Sequence, residues 1–412
     1  MKHFNRIYSD KSKCCGCGAC QSICGVGAIS MVQDELGFVF PEIDKSKCIN
    51  CDQCKQNCEF QKNVIEPENI CNLKVYAAIS KNTDPEKSSS GGAFASMATT
   101  IIKRGGIVYG AAIYKKENEF EVKHIAVDKE ENLNKLLGSK YIQSNTNDVF
   151  KQIEKYLKDR KEVLFSGTPC QCKGLTGYLR RTYENLYLVE LICHGVPSQK
   201  MFNDYIKTLE NSIKGDIVQF TFRDKKYGNS LIAKIDYRNY KGEIRSKWIP
   251  YEVSSYYQSF IEGTPYRTSC YSCPFARKER ASDVTIGDFW GVEREHPELV
   301  DNSKGFGDIR TGCSVILINN ERGKSLFEIC KSNLSIYDTS IDKVVKNNFQ
   351  LIQPAVEGRN REEFINQYMR DGYRGFENEW QIKNKKKIII TNIKLKLKKL
   401  RFHLRKVKKL YA

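Results

Sequence analysis

Two stretches of the chain place four cysteines at the same intervals. "CCGCGACQSIC" supplies Cys14, Cys17, Cys20 and Cys24, and "CINCDQCKQNC" supplies Cys48, Cys51, Cys54 and Cys58. Each reads C-x2-C-x2-C-x3-C. Three thiolates so closely spaced can grip three irons of one cube, and the fourth of each run then serves the other cube. The spacing assigns Cys14, Cys17, Cys20 and Cys58 to one 4Fe–4S cluster and Cys48, Cys51, Cys54 and Cys24 to a second. Cys15 breaks no spacing and reads as a spectator. The competing chemistry is zinc, which more often takes two pairs of cysteines than two runs of four.

This doubled run is the two-cluster ferredoxin pattern. The proline that usually follows the fourth cysteine is replaced by Gly25 and Glu59. Between the runs, "AISMVQDELGFVFPEID" reads as two short strands about a turn at Gly37. A cluster-bearing unit of residues 1–70 follows, in which the clusters stand in for a hydrophobic core.

A third cysteine motif lies far downstream. Cys270 and Cys273 form a C-x2-C pair whose next cysteine, Cys313, is distant. Two segments between these regions share one build. "KEVLFSGTPCQCKGLTGYLRR" and "NLYLVELICHGVPSQKMFNDYIKTLE" each read as strand, turn and helix, with Cys170 and Cys193 on the turns. Such units in series argue for a parallel sheet, and ligands bind beyond the carboxyl ends of its strands. Both cysteines sit at that edge, each close to a helix start that would favour thiolate. Cys170, Cys193, Cys270 and Cys273 are therefore the candidate ligands of a third cluster. Zinc remains an alternative for this quartet, and Cys172 an alternative to Cys170. Cys172, Cys313 and Cys330 otherwise read as buried core residues.

The elements that must hold these groups follow from the rest of the chain. "KVYAAIS" (74–80) and "IVYGAAI" (107–113) read as strands on either side of "SSSGGAFASMATTIIKRGG", a Ser/Gly turn opening a helix. Such a turn presents free N–H groups to a phosphate, although on this stretch alone an ordinary helix cap is the preferred reading. Residues 216–250 alternate and read as antiparallel strands; "DVTIGDFWG" and "CSVILIN" read as further buried strands. The fold expected is an α+β ferredoxin-like cluster domain, then an α/β body with a mixed, partly parallel sheet, then a basic helical C-terminal tail. The body divides into residues 71–155 and 156–345, and the extension covers 346–412.

The assembled motifs resemble the beta-subunit family of coenzyme F-420 hydrogenases and dehydrogenases. The matching stretches are "SSSGGAF", "GSKYIQS", "SGTPCQ", "ICHGVPS", "FRDKKYG" and "CYSCPFARKERASDVTIGDFWG", within roughly 71–345. The resemblance implies an FAD-binding flavoprotein with its own 4Fe–4S cluster, held here by Cys170, Cys193, Cys270 and Cys273. It implies that Ser90, Gly91 and Gly92 lie near FAD, with Lys140 and Tyr141 as further candidates. It also implies electron exchange with a redox partner protein or small carrier, a deazaflavin in archaeal members. The turn around 304–313, "KGFGDIRTGCS", is longer than the family's short Lys-Gly-x-Ser turn.

Composition bounds the remainder. The chain has 412 residues and 17 cysteines, which in a reducing compartment point to metal ligation rather than disulfides. It shows no leader and no transmembrane run, so a cytoplasmic location is expected. Of the net charge of +18, 13 positive residues lie in 381–412 with no acidic residue among them, so the body is not a nucleic-acid binder by charge. Ile393, Leu397, Leu400, Leu404, Val407 and Tyr411 recur at steps of four and three, an apolar face on a basic helix. Residues 389–411 thus suit an anionic membrane surface, with peripheral attachment; a docking partner, RNA and a solvated end are the rivals. Five histidines are few, and no His/Asp/Ser arrangement suggests acid–base chemistry. An electron-transfer subunit without its own substrate, and a structural zinc protein, are the alternatives to an iron–sulfur flavoenzyme.

Overall fold

A computed structural model describes residues 7–62, 74–146, 148–227, 231–280, 282–301 and 305–410. Cys71 and Tyr411 lie outside these residues, as do Gly228 and Lys304 of the motifs above.

The first unit is small. Gly37, with φ of +80°, turns strand β1 (Ile29–Gln33) into β2 (Val39–Ile43), and the two pair antiparallel with Ile29 opposite Ile43. Helices α1 (Ala19–Ile23) and α2 (Gln53–Gln56) carry the cysteine runs and pack on each other.

The body is built on one eight-stranded sheet in the order β13-β3-β12-β11-β7-β6-β4-β5. Its strands are β3 (Lys74–Ser80), β4 (Ile107–Lys116), β5 (Glu119–Val127), β6 (Val163–Gly167), β7 (Leu186–Leu191), β11 (Val284–Asp288), β12 (Ser314–Ile318) and β13 (Leu334–Thr339). The central four, β4, β6, β7 and β11, run parallel; the flanking pairs are antiparallel. Strands from before and after residue 156 interleave in this sheet. Period-two alternation divides its side chains between two faces. Leu164, Val189 and Ile316 pack under α3 (Ala93–Lys103) and α9 (Glu321–Cys330). Val163, Phe165 and Leu188 pack under α4 (Val149–Lys158) and α5 (Pro169–Leu179).

Strands β8 (Gly215–Thr221), β9 (Ile232–Asn239) and β10 (Ile244–Pro250) form a separate antiparallel sheet. An aromatic core of Phe202, Phe220, Phe222, Tyr256, Tyr257, Phe364 and Tyr373 joins it to α6 (Gln199–Ile213), α7 (Ser255–Ile261) and α11 (Arg361–Lys383). Short helices α8 (Val292–Glu295) and α10 (Ile341–Val345) pack on the face of β3 and β12 that carries Val75, Ala77, Val315 and Leu317. Helix α12 (Lys385–Leu410) ends the described chain, and no helix among the described residues is long and apolar enough to cross a membrane.

Glycine on α5 lets the cluster unit approach the body. A Cβ at Gly174 would stand 2.8 Å from the Cys17 sulfur, and one at Gly177 2.6 Å from the Asn57 carbonyl oxygen. Both glycines lie on one face of the helix, three residues apart. The docked unit is then fixed by polar contacts: Thr146 Oγ1 donates to the Cys17 carbonyl at 2.8 Å, and Gln143 Nε2 to that of Cys15 at 2.9 Å. Gly174→Val should therefore displace Cys17, costing about 1–3 kcal/mol as an overpacked core does. The checks are a lowered thermal midpoint and iron loss from the N-terminal unit in the purified variant.

Candidate functional site

Two sets of four cysteines each line a cavity, and the remaining four candidates line neither. Cys14, Cys17, Cys20 and Cys58 line one cavity together with Phe60 and Gly174. Burial pushes the Cys20 thiol well above its ordinary range, and nearby Cys17, Cys14 and Cys58 push it further. Burial lifts Cys58 to about 11, with Cys17 adding to it. Four thiols crowded out of water resist ionising individually, and a cationic metal core reverses this by displacing their protons.

Cys170, Cys193, Cys270 and Cys273 line a second cavity, with Thr168, Arg267 and Arg280. Cys170 comes from the first turn of α5, Cys193 from the loop after β7, and the pair from the short helix Thr268–Ser272 and its cap. Burial raises Cys193 well above the ordinary thiol range, and Cys270, Cys170 and Cys273 add to it. Burial also raises Cys270 and Cys273 to about 12 each, and both feel Cys170. Only Cys170 is lowered, to about 7, chiefly by hydrogen bonds from Cys15 and Thr168, whose Oγ1 lies 3.1 Å away.

The helix-start argument for thiolate applies to Cys170 alone. It is the second residue of α5, which opens at Pro169, whereas α6 begins only at Gln199 with Ser198 as its cap, six residues beyond Cys193. The dipole fades within a turn, so burial decides at Cys193. Cys172 packs fully buried in the α4/α5 core, and Cys313 and Cys330 are buried too.

The third set is the outer one. Cys24 caps α1 and accepts from the Ala28 N–H at 3.2 Å; Cys48 and Cys54 are half-buried beside α2, and Cys51 is exposed. Among the described residues no three His, Cys, Asp or Glu side chains close on a point suited to one metal ion. Thiolates around an iron–sulfur cube stand farther apart than those around a single zinc.

Three residues outside the cysteine pattern tie the two cavities together. Cys15, 6% exposed, packs with Phe60, Phe275, Cys17 and Cys170 between them. Its thiol donates toward Cys17 and Cys170; those bonds and burial keep it protonated while lowering Cys17 and Cys170. Arg267, 1% exposed, donates from Nε to the Cys14 carbonyl at 2.8 Å and from Nη2 to that of Val39 at 2.9 Å. Nη2 also lies 3.7 Å from the Cys14 sulfur, and the guanidinium covers the Phe40 ring. Its charge favours ionisation of Cys14, Cys17, Cys170 and Cys270. The fully buried pair of Arg280 and Glu190, 2.6 Å apart, ties the Cys270–Arg280 loop to β7, the strand that leads to Cys193. The resemblance motifs contain Arg280 but not Arg267, which lies three residues before Cys270, and nothing in the spacing announced either task.

The carboxyl edge of the parallel strands continues beyond the third quartet. His194 follows Cys193 and feels Asp288, whose carboxylate is paired with Arg223 at 2.5 Å. Beyond Arg223 stands Lys225, which donates to the carbonyls of Ser90 at 2.8 Å and Thr311 at 2.7 Å. Burial, then Arg223, lowers Lys225 to about 8. Lys140 donates to the carbonyls of Leu136 and Leu137 at 2.8 Å, and burial lowers it to about 7. Neither ammonium makes an ion pair among the described residues. Tyr141 packs against Phe222, Tyr257 and Phe260, and burial raises its phenol.

Helix α3 opens at this edge with Gly92 as its cap, in the left-handed region and without a side-chain cap bond. Ser90 spends its hydroxyl on the Cys313 carbonyl at 2.8 Å. A Cβ at Gly91 would come within 2.3 Å of the Ala78 carbonyl oxygen and 2.6 Å of the Ser314 nitrogen. Close packing of the loop on β3 and β12 is thus sufficient reason for that glycine. The uncapped helix start and two desolvated, unpaired ammonium groups nonetheless make a donor set suited to a phosphate-bearing ligand.

Comparison with known proteins gives a consistent assignment. The family model for the C terminus of the coenzyme F420 hydrogenase/dehydrogenase beta subunit matches residues 160–344, and that of the 4Fe-4S binding domain matches residues 7–30. No curated protein matches the chain. A solved structure, the xenon-derivatised F420-reducing NiFe hydrogenase complex from Methanosarcina barkeri, is similar at 14% identity. The match covers 71% of this chain and 91% of that chain, with a TM-score of 0.41.

Two variants probe these centres. Anaerobically reconstituted protein should hold about 12 iron atoms, and Cys270→Ala should remove about four, from the all-cysteine stoichiometry; iron analysis against protein concentration checks it. Arg267→Ala strips the buried charge from between the two cavities. It should cost on the order of 3–5 kcal/mol, as removal of one partner from a buried ionic site does, and lower the reduction potentials of both adjoining clusters. Denaturation and a redox titration followed by electron paramagnetic resonance are the measurements.

Proposed function

We propose that this chain, whose residues 160–344 match the coenzyme F420 hydrogenase/dehydrogenase beta-subunit family, is an iron–sulfur flavoprotein oxidoreductase. It links a one-electron donor or acceptor to a two-electron carrier or organic substrate. The observation that carries this is the succession of cysteine quartets. It runs from the outer set with exposed Cys51, to the set lining the cavity with Cys14, to the set holding Cys170 and Cys193 at the sheet edge. Cys15 spans the last two. When bound, 4Fe–4S clusters exchange electrons singly and FAD exchanges them singly or in pairs, which is the junction such a reaction needs.

The chain's own residues supply the rest. Cys14, Cys17, Cys20 and Cys58 would hold one cluster, Cys24, Cys48, Cys51 and Cys54 the second, and Cys170, Cys193, Cys270 and Cys273 the third. Arg267 offsets the negative charge of buried thiolates, and Thr168 and Cys15 donate hydrogen bonds to them. The start of α3 at Ser90, Gly91 and Gly92, with Lys225 and Lys140, would hold the anionic part of FAD; Tyr141 lies in the same neighbourhood. The surface around exposed Cys51 is where a redox partner protein would exchange electrons. If the chain serves only as an electron-transfer subunit, purified protein will oxidise no carrier until a catalytic partner is added.

Lys225 offers a cleaner test than Gly91, whose substitution also strains the β3–β12 contact. A charge-assisted hydrogen bond is worth about 1.5–3 kcal/mol, so Lys225→Met should weaken FAD binding by roughly tenfold to a hundredfold. The sign with pH follows from the same residue. The unliganded ammonium is charged below about 8, so FAD affinity should fall as pH rises through 8, and Lys225→Met should flatten that slope. Flavin retention on a desalting column across pH, with cluster absorbance as the control for folding, decides it. Unchanged affinity in the variant would move the cofactor elsewhere.

A further inference from the structure

Helix α12 has two apolar faces. Leu395 is buried against Tyr227 and Ile232, with Phe402 and Trp248 alongside. Lys399 shares this face, lying over the rings of Tyr227 and Trp248. Ile388, Thr391, Leu395, Lys399 and Phe402 are the residues with reduced exposure in this stretch, and at 3.6 residues per turn they fall on one side. This side fastens the helix to the three-stranded sheet.

The opposite side is also apolar and faces outward. Ile389, Ile393, Leu397, Leu400 and Leu404 recur at steps of four and three, about half a turn round from Leu395, and each is 50% or more exposed. Lysine and arginine line its flanks: Lys394, Lys398 and Arg401 on one, Lys385 and Lys396 on the other. Between Lys385 and Leu410 there are 12 basic residues and no acidic one. An apolar stripe held rigidly outward between two rows of long cationic side chains is a costly exposure for a free surface.

We infer that this outer face of α12 seats the protein on the surface of an anionic lipid bilayer, the helix lying in the interface rather than crossing it. The charge pattern selects that occupant. A second copy would bring the same unbalanced positive charge against itself. Single-stranded nucleic acid stacks its bases on aromatic rings, and the nearest aromatic residue, Phe402, is turned inward. A lipid surface accepts the aliphatic stripe among its chains and the lysines at its anionic headgroups. Because Leu395 and Phe402 stay docked, the helix can bind without leaving the body.

The test uses the full chain with its clusters loaded. It should co-sediment with vesicles of phosphatidylcholine containing phosphatidylglycerol at least tenfold better than with phosphatidylcholine alone, and less as salt rises. Leu397→Asp with Leu400→Asp should abolish binding at low salt while leaving cluster absorbance and thermal midpoint unchanged, since both residues point away from the body. Binding that survives this double substitution, or is equal on neutral vesicles, overturns the proposal. So does wild-type protein that ignores vesicles yet self-associates, or retains RNA, in a way the double variant loses.

Discussion

A single buried guanidinium organises the centre of this molecule. Arg267 lies between the cluster unit and the body and has no carboxylate partner among the described residues. A charge so far from water needs compensation. Carbonyls of Cys14 and Val39 take the fork's hydrogen bonds, and the thiolates of two cysteine quartets, once ionised by a bound cluster, would supply the compensating charge. The dependence runs both ways. The arginine needs thiolates around it, and the thiolates, crowded and desolvated, need a cation. Docking of the N-terminal unit, ionisation of the ligands and the reduction potential of what they hold are consequently parts of one balance.

The thiols show how packing sorts residues of one type into different roles. Burial alone drives a cysteine toward the protonated state, as it does for Cys172 and Cys313. Cys170 and Cys17 escape that fate because Cys15 donates to them, and Cys170 also because Thr168 does. Cys15, a spectator by spacing, lines both cavities, as Phe60 and Cys170 do. Its position excludes solvent between them and leaves a short sulfur-lined gap, the arrangement that exchange between neighbouring centres requires.

The sheet edge extends the same logic to a ligand of opposite charge. Cys170 and Cys193 emerge along one edge because β6 and β7 run the same way, and the Cys270–Cys273 segment and two cationic side chains are brought to it from other parts of the chain. The carboxyl ends of parallel strands leave their loops on one side, so groups remote in sequence converge there. Asp288 and Arg223 stand between the third quartet and Lys225. A cofactor in the cleft would therefore meet cations at its phosphate end and sulfur ligands near its redox end.

Much of this was legible in the cysteines themselves. The two runs carry their own pairing rule, because three closely spaced cysteines suit one cube and leave the fourth to the other, and the hairpin at Gly37 follows from a local turn. Alternating and helical patterns likewise located the strands around Cys170 and Cys193, since hydrophobic period is a local property. The sequence also showed that the tail is a basic amphipathic helix. It did not show that the tail has a second apolar face, because Leu395 and Phe402 become distinguishable from Leu397 and Leu400 only when one set meets Tyr227 and Trp248. Nor could spacing place Arg267 beside Cys14, more than 250 residues away, turn Cys15 toward Cys170, or leave Cys193 without a helix behind it. Those outcomes depend on which surfaces meet after the chain folds. Short-range ligand geometry and periodicity are written residue by residue, whereas desolvation and charge compensation exist only between surfaces that tertiary structure brings together.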